Sequence, residues 1–173
     1  MSFLSLEKLA IRKGRAVLYL TWPESESIDV DSDFMDQIKR RYPTITRHSC
    51  INAQGPTFED IAYSTNVAHV LEHVIIEEQL ERMLPAKESN CLSQKKASGK
   101  QPAENRSARV SFGHDLSCIY DPAIILKGTT KLFRDKRLAI VEISFADDII
   151  AVQSILSALN CVNSLYKNNS SNI

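Results

Sequence analysis

Two histidines and a glutamate lie within five consecutive residues, in the run His69-Val70-Leu71-Glu72-His73. In a helix, His69 and His73 occupy positions i and i+4, on one face and roughly 6 Å apart along the axis. That spacing lets both imidazole rings reach a single metal ion, with the carboxylate of Glu72 close by. The pattern therefore predicts a zinc site with a general base beside it.

The order H-x-x-E-H is that of the inverzincin metallopeptidases, in which two histidines bind zinc and the glutamate acts on the zinc-bound water. We accordingly predict that His69 and His73 are zinc ligands and that Glu72 is the catalytic base. Two other interpretations of the same residues compete with this one. They are a solvated polar helix face and a buried hydrogen-bonded network without metal.

The composition is that of a globular protein with one core. The chain has 173 residues, 43% of them hydrophobic, and a formal net charge of zero, which suits a single domain over residues 1–173. Lys and Arg are scattered, so we expect no nucleic-acid partner and no acidic membrane surface. We identify no apolar run near the ~20 residues of a membrane span and no secretory signal. A cytoplasmic location follows as the expectation.

The four cysteines, Cys50, Cys91, Cys118 and Cys161, are dispersed and form no C-x-x-C pair. In a reducing compartment this spacing predicts thiols rather than a disulfide framework.

The elements that must position the motif follow from the hydrophobic pattern. The motif falls in the longest helical signal, which begins at Thr57 as N-cap and runs to about Leu84, before Pro85. The order β-α-β-α-(loop)-β-β-α predicts an α+β fold with helices packed on one face of a mainly antiparallel sheet. Its other parts are a strand at 16–22, a helix at 34–42 capped by Asp33, a strand at 45–52, a flexible polar insertion at about 86–109, a hairpin of 124–131 and 138–145, and a helix at 147–167.

A wider set of residues accompanies the motif, from Pro43 to Gln79 and again in the last third, over about half of the chain. These residues are Pro43, His48-Ser49-Cys50, Gly55, Phe58, Thr65, His69, the run Glu72-His73-Val74-Ile75-Ile76-Glu77-Glu78-Gln79, the pair Phe112-Gly113 and the pair Val141-Glu142. In this pattern the chain resembles the N-terminal domain of cyanophycin synthetases and its free-standing relatives.

The resemblance implies a module that holds a growing polypeptide and that in some members carries a metallopeptidase-like hydrolytic site. The synthetases also have ATP-grasp and Mur-ligase-like domains, for which this chain has no room, and it lacks a P-loop motif. We therefore expect no polymer synthesis by this chain alone. Ser64 replaces the family's usual glycine, and His114-Asp115 replaces its basic residues, which leaves polymer specificity open.

A catalytic zinc ion needs a third protein ligand and keeps one position for water. Glu77 lies one turn beyond His73, but three ligands from one straight helix require strained side-chain geometry. Glu142 comes from a neighbouring strand and matches a family position, so we favour it over Glu77. His48, Cys50 and His114 are the other candidates.

These residues predict a zinc-dependent peptidase or amidase-like domain that acts on a polypeptide or a small peptide. The alternative is a non-catalytic module that binds a polyamide chain or a protein, and a purely structural accessory role is a third interpretation. The sequence is compatible with a homo-oligomer but specifies neither the oligomeric state nor the substrate.

Overall fold

The computed structural model describes residues 2–83 and 126–170. The expected polar insertion at about 86–109, the pair Phe112-Gly113 and the candidate ligand His114 lie outside the described residues.

Four strands form one antiparallel sheet in the spatial order β1-β2-β4-β3. The first hairpin closes over two residues, because Arg12 pairs with Arg15, and Gly14 adopts a φ of 70° in the turn. The second hairpin is the one predicted from the sequence, with slightly shifted bounds. The strands are β1, Ser5–Arg12; β2, Arg15–Thr21; β3, Gly128–Phe133; and β4, Leu138–Ser144.

Alternate residues of the two central strands are buried, since side chains point to opposite faces of a sheet with a period of two. The intervening residues point to the opposite face of the sheet. Glu142 is one of them, and its side chain forms a salt bridge with Arg15. The sheet therefore packs one face against the helices, and the predicted α+β class is confirmed. The buried residues are Ala16, Leu18, Leu20, Ala139, Val141 and Ile143.

Three helices, α1 (Ser32–Arg41), α2 (Val67–Met83) and α3 (Asp148–Ser170), complete the described fold. Side-chain oxygens satisfy backbone N–H groups at each helix start. Asp31 accepts from Phe34 N–H at 2.7 Å. Asn66 accepts from the N–H of His69, and Asp147 accepts from Ile150 N–H at 2.9 Å.

Helix α2 lies at the centre of the molecule, in contact with β3 and β4 and also with α3. Its residues are accordingly buried around most of its circumference, including the polar pair Glu72 and His73. A helix covered in this way does not show the one-sided pattern of a surface helix. The H-x-x-E-H motif therefore lies in the core of the domain and begins at the third residue of α2.

Several local predictions were wrong. The segment predicted as a strand at 45–52 is a 3₁₀ turn, Ile45–Arg47, followed by irregular chain that is held by one bridge between Ser49 and Thr57. Thr57 does not cap α2, because its N–H and hydroxyl both donate to the carboxylate of Asp60 and the helix begins only at Val67. The cap of α1 is Asp31 rather than Asp33, and β1 was not predicted.

The segment Asp148–Tyr166 of α3 is long and apolar enough to cross a membrane by length and composition alone, contrary to the expectation from the sequence. In the structure it packs against α1 and α2. Asn163 on this helix exchanges two hydrogen bonds with the backbone of Leu4, at 2.7 and 3.0 Å. A core helix passes the same length test, so the absence of a membrane partner stays a prediction.

Candidate metal centre

His69 and His73 share one face of α2, as their spacing predicts, and their ring centroids are 5.0 Å apart. The chain before the helix covers this face: Phe58 is fully buried, stacks on His73 at 4.0 Å and meets His69 edge-on at 5.5 Å. The irregular segment that contains His48 and Cys50 lies on the same side. The two histidines are thus held between α2 and a covering loop.

Cys50 joins the two histidines in a group of three metal-binding side chains. One ligand atom from each of Cys50, His69 and His73 lies within 4.8 Å of the other two, and the Cys50 Sγ is 3.5 Å from the His69 Nε2. Tetrahedral zinc ligands stand roughly 3.5 Å from one another, given bond lengths of about 2.0–2.3 Å. Small side-chain rotations therefore suffice for this buried group to hold a metal ion.

The Nε2 atom of His73 is buried and has no hydrogen-bond partner among the described residues. His73 itself is only 3% exposed. A buried polar atom without a partner costs free energy, and such atoms are rare in folded proteins. A metal ion at this nitrogen would satisfy it, which is an indication of a ligand independent of the sequence motif.

His69 is oriented by Thr65, whose Oγ1 lies 2.8 Å from the His69 Nδ1. This contact occupies one ring nitrogen and leaves the other, Nε2, on the side of Cys50. Metal-binding histidines characteristically use their second nitrogen in this way, which fixes the ring. Thr65 is four residues before His69, at the position that the resemblance assigns to a threonine.

Glu77 does not join the group of three. Its Oε1 lies 3.0 Å from the Nε2 of His48 and accepts a hydrogen bond of 2.6 Å from the hydroxyl of Thr44. The Nδ1 of His48 lies 3.0 Å from the Nδ1 of His73. Glu77 therefore reaches the predicted ligand His73 through His48 rather than binding beside it.

Glu142, the favoured third ligand in the sequence analysis, is not brought to the histidines. Its neighbours Val141 and Ile143 are the residues of β4 that face the helices. The Glu142 side chain consequently lies on the opposite face of the sheet, where it binds Arg15. The third side chain in the group is instead Cys50, which was one of the alternatives.

Glu72, the predicted base, is 5% exposed and accepts a hydrogen bond of 2.5 Å from Thr130 through its Oε2. Burial raises the pKa of Glu72 to about 7, although the Thr130 bond acts in the opposite direction. Glu72 also helps raise the pKa of the Cys50 thiol, so its carboxyl group is within electrostatic reach of that sulfur. Gly128 passes so close that an added Cβ would lie 2.4 Å from the Glu72 Oε1.

Burial governs the protonation of the three candidate ligands. It lowers the pKa of His69 and is the largest cause that lowers the pKa of His73 well below 6.5, with a smaller contribution from the neighbouring rings of His48 and His69. Both rings are therefore neutral at pH 7, which is the form that binds metal. Burial likewise raises the pKa of Cys50, whereas a bound cation would favour its thiolate.

The group is largely closed to solvent. Cys50 is 8% exposed and His73 3% exposed, and His69 is the most accessible of the three. Access to a bound ion is therefore best on the His69 side.

The sequence motif His48-Ser49-Cys50 was the signal that could have favoured Cys50 over Glu142.

Comparisons of the chain with protein-family models, curated proteins and solved structures return no match. The resemblance to the N-terminal domain of cyanophycin synthetases stays a prediction from the motif residues.

Proposed function

We propose that this protein is a zinc-dependent hydrolase of the peptidase or amidase type, with Cys50, His69 and His73 as metal ligands and Glu72 as general base. The observation that carries the proposal is the convergence of these three ligand side chains at helix α2, which also carries the buried carboxyl group of Glu72. The partnerless Nε2 of His73 supports it further.

Zinc is the metal that best suits the donor set. One thiolate and two imidazoles are ligands that zinc accepts in proteins, while the oxygen-preferring ions Mg²⁺ and Ca²⁺ disfavour sulfur. Three protein ligands also leave a fourth tetrahedral position for water or substrate, as in catalytic sites. When bound, zinc would lower the pKa of a water molecule and polarise a carbonyl group.

Glu72 has the properties of a base that works near neutral pH. Its pKa of about 7 allows the carboxyl group to accept and release a proton under those conditions. The Thr130 hydrogen bond fixes one carboxyl oxygen, Oε2, and so orients the group. In amide hydrolysis Glu72 would take the proton from the attacking water and deliver it to the leaving amine.

The substrate class follows from the resemblance and not from the geometry. Cyanophycin synthetase N-terminal domains are associated with a polypeptide chain, so we propose a polypeptide or small peptide as substrate and a cytoplasmic location.

The test is a peptide-library cleavage assay on zinc-reconstituted protein. We expect chelator-sensitive cleavage that is abolished in Glu72→Gln with zinc binding retained. Glu81→Gln, the same change at an exposed position of α2, is the matched control and should cleave like wild type. Cleavage that continues in Glu72→Gln would refute the assignment of the base.

The closed surroundings of Glu72 and His73 favour a second candidate, a non-catalytic module that binds a polyamide chain or a protein partner. In that case the buried group would stabilise the fold and the substrate would not need to reach it. Peptide binding without cleavage, unaffected by chelator, would distinguish this module from the hydrolase.

A further inference from the structure

We propose that His48 and Glu77 are positioning residues that hold His73 with a proton on Nδ1 and a bare lone pair on Nε2, ready for a metal ion. This inference rests on the proposed metal site and adds two residues to it. It concerns the tautomer of one ring, which can be measured without metal or substrate.

The chain of hydrogen bonds begins at Glu77. An ionised carboxylate can only accept hydrogen bonds, and its Oε1 already accepts one from Thr44 at 2.6 Å. The Nε2 of His48, 3.0 Å from the same oxygen, must therefore carry a hydrogen and donate it. The opposite arrangement would direct a nitrogen lone pair at a carboxylate oxygen.

A neutral imidazole has one donor and one acceptor nitrogen. In the neutral form of His48, the donating Nε2 leaves Nδ1 as the acceptor. The atom that faces this acceptor, at 3.0 Å, is the Nδ1 of His73, which must then be protonated. The remaining His73 nitrogen, Nε2, then keeps its lone pair, and this atom is buried without a hydrogen-bond partner among the described residues.

The partnerless state of the His73 Nε2 agrees with this assignment. A bare nitrogen is a metal ligand, whereas a buried N–H with no acceptor among the described residues would be unsatisfied and unable to bind a cation. The side chains of His48 and Glu77 are only 10% and 8% exposed, so water does not readily replace either link. A carboxylate behind a metal-binding histidine also raises the basicity of the ligand.

The experiment is ¹⁵N NMR of the histidine rings in the metal-free wild-type protein at neutral pH. We expect His73 to be protonated on Nδ1 and bare on Nε2, and His48 to be protonated on Nε2 and bare on Nδ1. A His73 ring protonated on Nε2 would overturn the inference. The wild-type spectrum decides this even if a variant fails to fold.

Glu77→Gln provides the second readout, because a glutamine amide can donate to His48 and so permit the reversed chain. We expect the His73 Nε2–H form to appear and zinc affinity to fall by about 10- to 100-fold, the usual effect of losing such a partner. Glu78→Gln is the matched control, since Glu78 binds Tyr42 and Arg82 instead of the histidines. A folded Glu77→Gln protein with wild-type tautomer and zinc affinity would contradict the positioning role.

The outcome is separable from that of the proposed function. If the tautomer is as expected and no peptide is cleaved, the hydrolase proposal fails and the positioning of His73 stands. If cleavage occurs and the His73 Nε2 is protonated in the metal-free protein, the positioning inference alone fails.

Discussion

Thr130 on β3 donates a hydrogen bond of 2.5 Å to Glu72 on α2, across 58 positions of sequence. The contact ties the edge of the sheet to the carboxyl group of the motif. Cys50, from the chain that precedes the helix, lies close to His69 and His73 on the same helix. Three separate segments of the protein thus meet at the candidate centre.

Thr130→Val should slow hydrolysis by about tenfold, because it removes the bond that orients Glu72, and one such hydrogen bond contributes about 1–1.5 kcal/mol. Zinc content should not change, since Thr130 does not touch the ligands. Thr129→Val, at an exposed position on the opposite face of β3, is the control. Measurement of kcat/KM and zinc content for both variants tests the prediction, and equal rates would refute an orienting role for Thr130.

Gly128→Ala should displace the Glu72 carboxyl group. The new Cβ would lie 2.4 Å from the Glu72 Oε1 and 2.5 Å from its Cγ, closer than real contacts allow. We expect a loss of about 1–3 kcal/mol in the free energy of unfolding together with loss of hydrolysis. Thr129→Ala, at the exposed neighbouring position, is the control. Its free energy of unfolding, measured with urea, should lie within about 0.5 kcal/mol of that of wild type. A stable, active Gly128→Ala protein would contradict the close approach.

Glu72 should make the metal-free protein less stable as pH rises. Its folded-state pKa, about 7, lies above the usual value of 4.5. The folded state therefore holds the proton more tightly, and this contribution is fully present below pH ~4.5 and lost as pH rises through about 7. Glutamine at this position cannot ionise. The free energy of unfolding of Glu72→Gln should accordingly exceed that of wild type by up to roughly 3 kcal/mol at pH 8 and by little at pH 4.5. Urea unfolding at the two pH values provides the comparison. A stability difference that is independent of pH would argue against a buried, proton-retaining Glu72.

Cys50→Ser should weaken zinc binding by at least about 100-fold, more than the loss of an outer contact to a ligand. Serine has nearly the same size, but its hydroxyl is a poor zinc ligand. Cys161→Ser is the matched control, because Cys161 is another free thiol and lies on α3, outside the group of three. Chelator competition measures both affinities. Equal zinc affinity for the two variants would remove Cys50 from the ligand set.

The fold class was predictable because the hairpin of β3 and β4 and the motif helix have clear local signals. The strand predicted at 45–52 was wrong because this segment has the alternating pattern of a strand but lies against α2 as irregular chain. His48 and Cys50 of this irregular chain nevertheless both contact the motif histidines. The covering of α2 by both sheet and α3 depends on distant segments, which a local pattern does not reveal.

The histidine pair was predictable from helical spacing, whereas the third ligand was not. Successive residues of a strand point to opposite faces of the sheet. To decide whether Glu142 faces α2, one must therefore know which alternate residues of β4 point to the helices. The structure assigns Val141 and Ile143 to the helix-facing side. Glu77 was close to the centre in sequence, but only the three-dimensional position of His48 shows how it is connected to His73.

The most direct test of the metal centre is the zinc content of wild type and His69→Ala after reconstitution and dialysis, determined by elemental analysis. We expect one zinc ion per wild-type chain and none retained in His69→Ala. A wild-type protein without zinc, or a His69→Ala protein that keeps it, would contradict the assignment of Cys50, His69 and His73 as metal ligands.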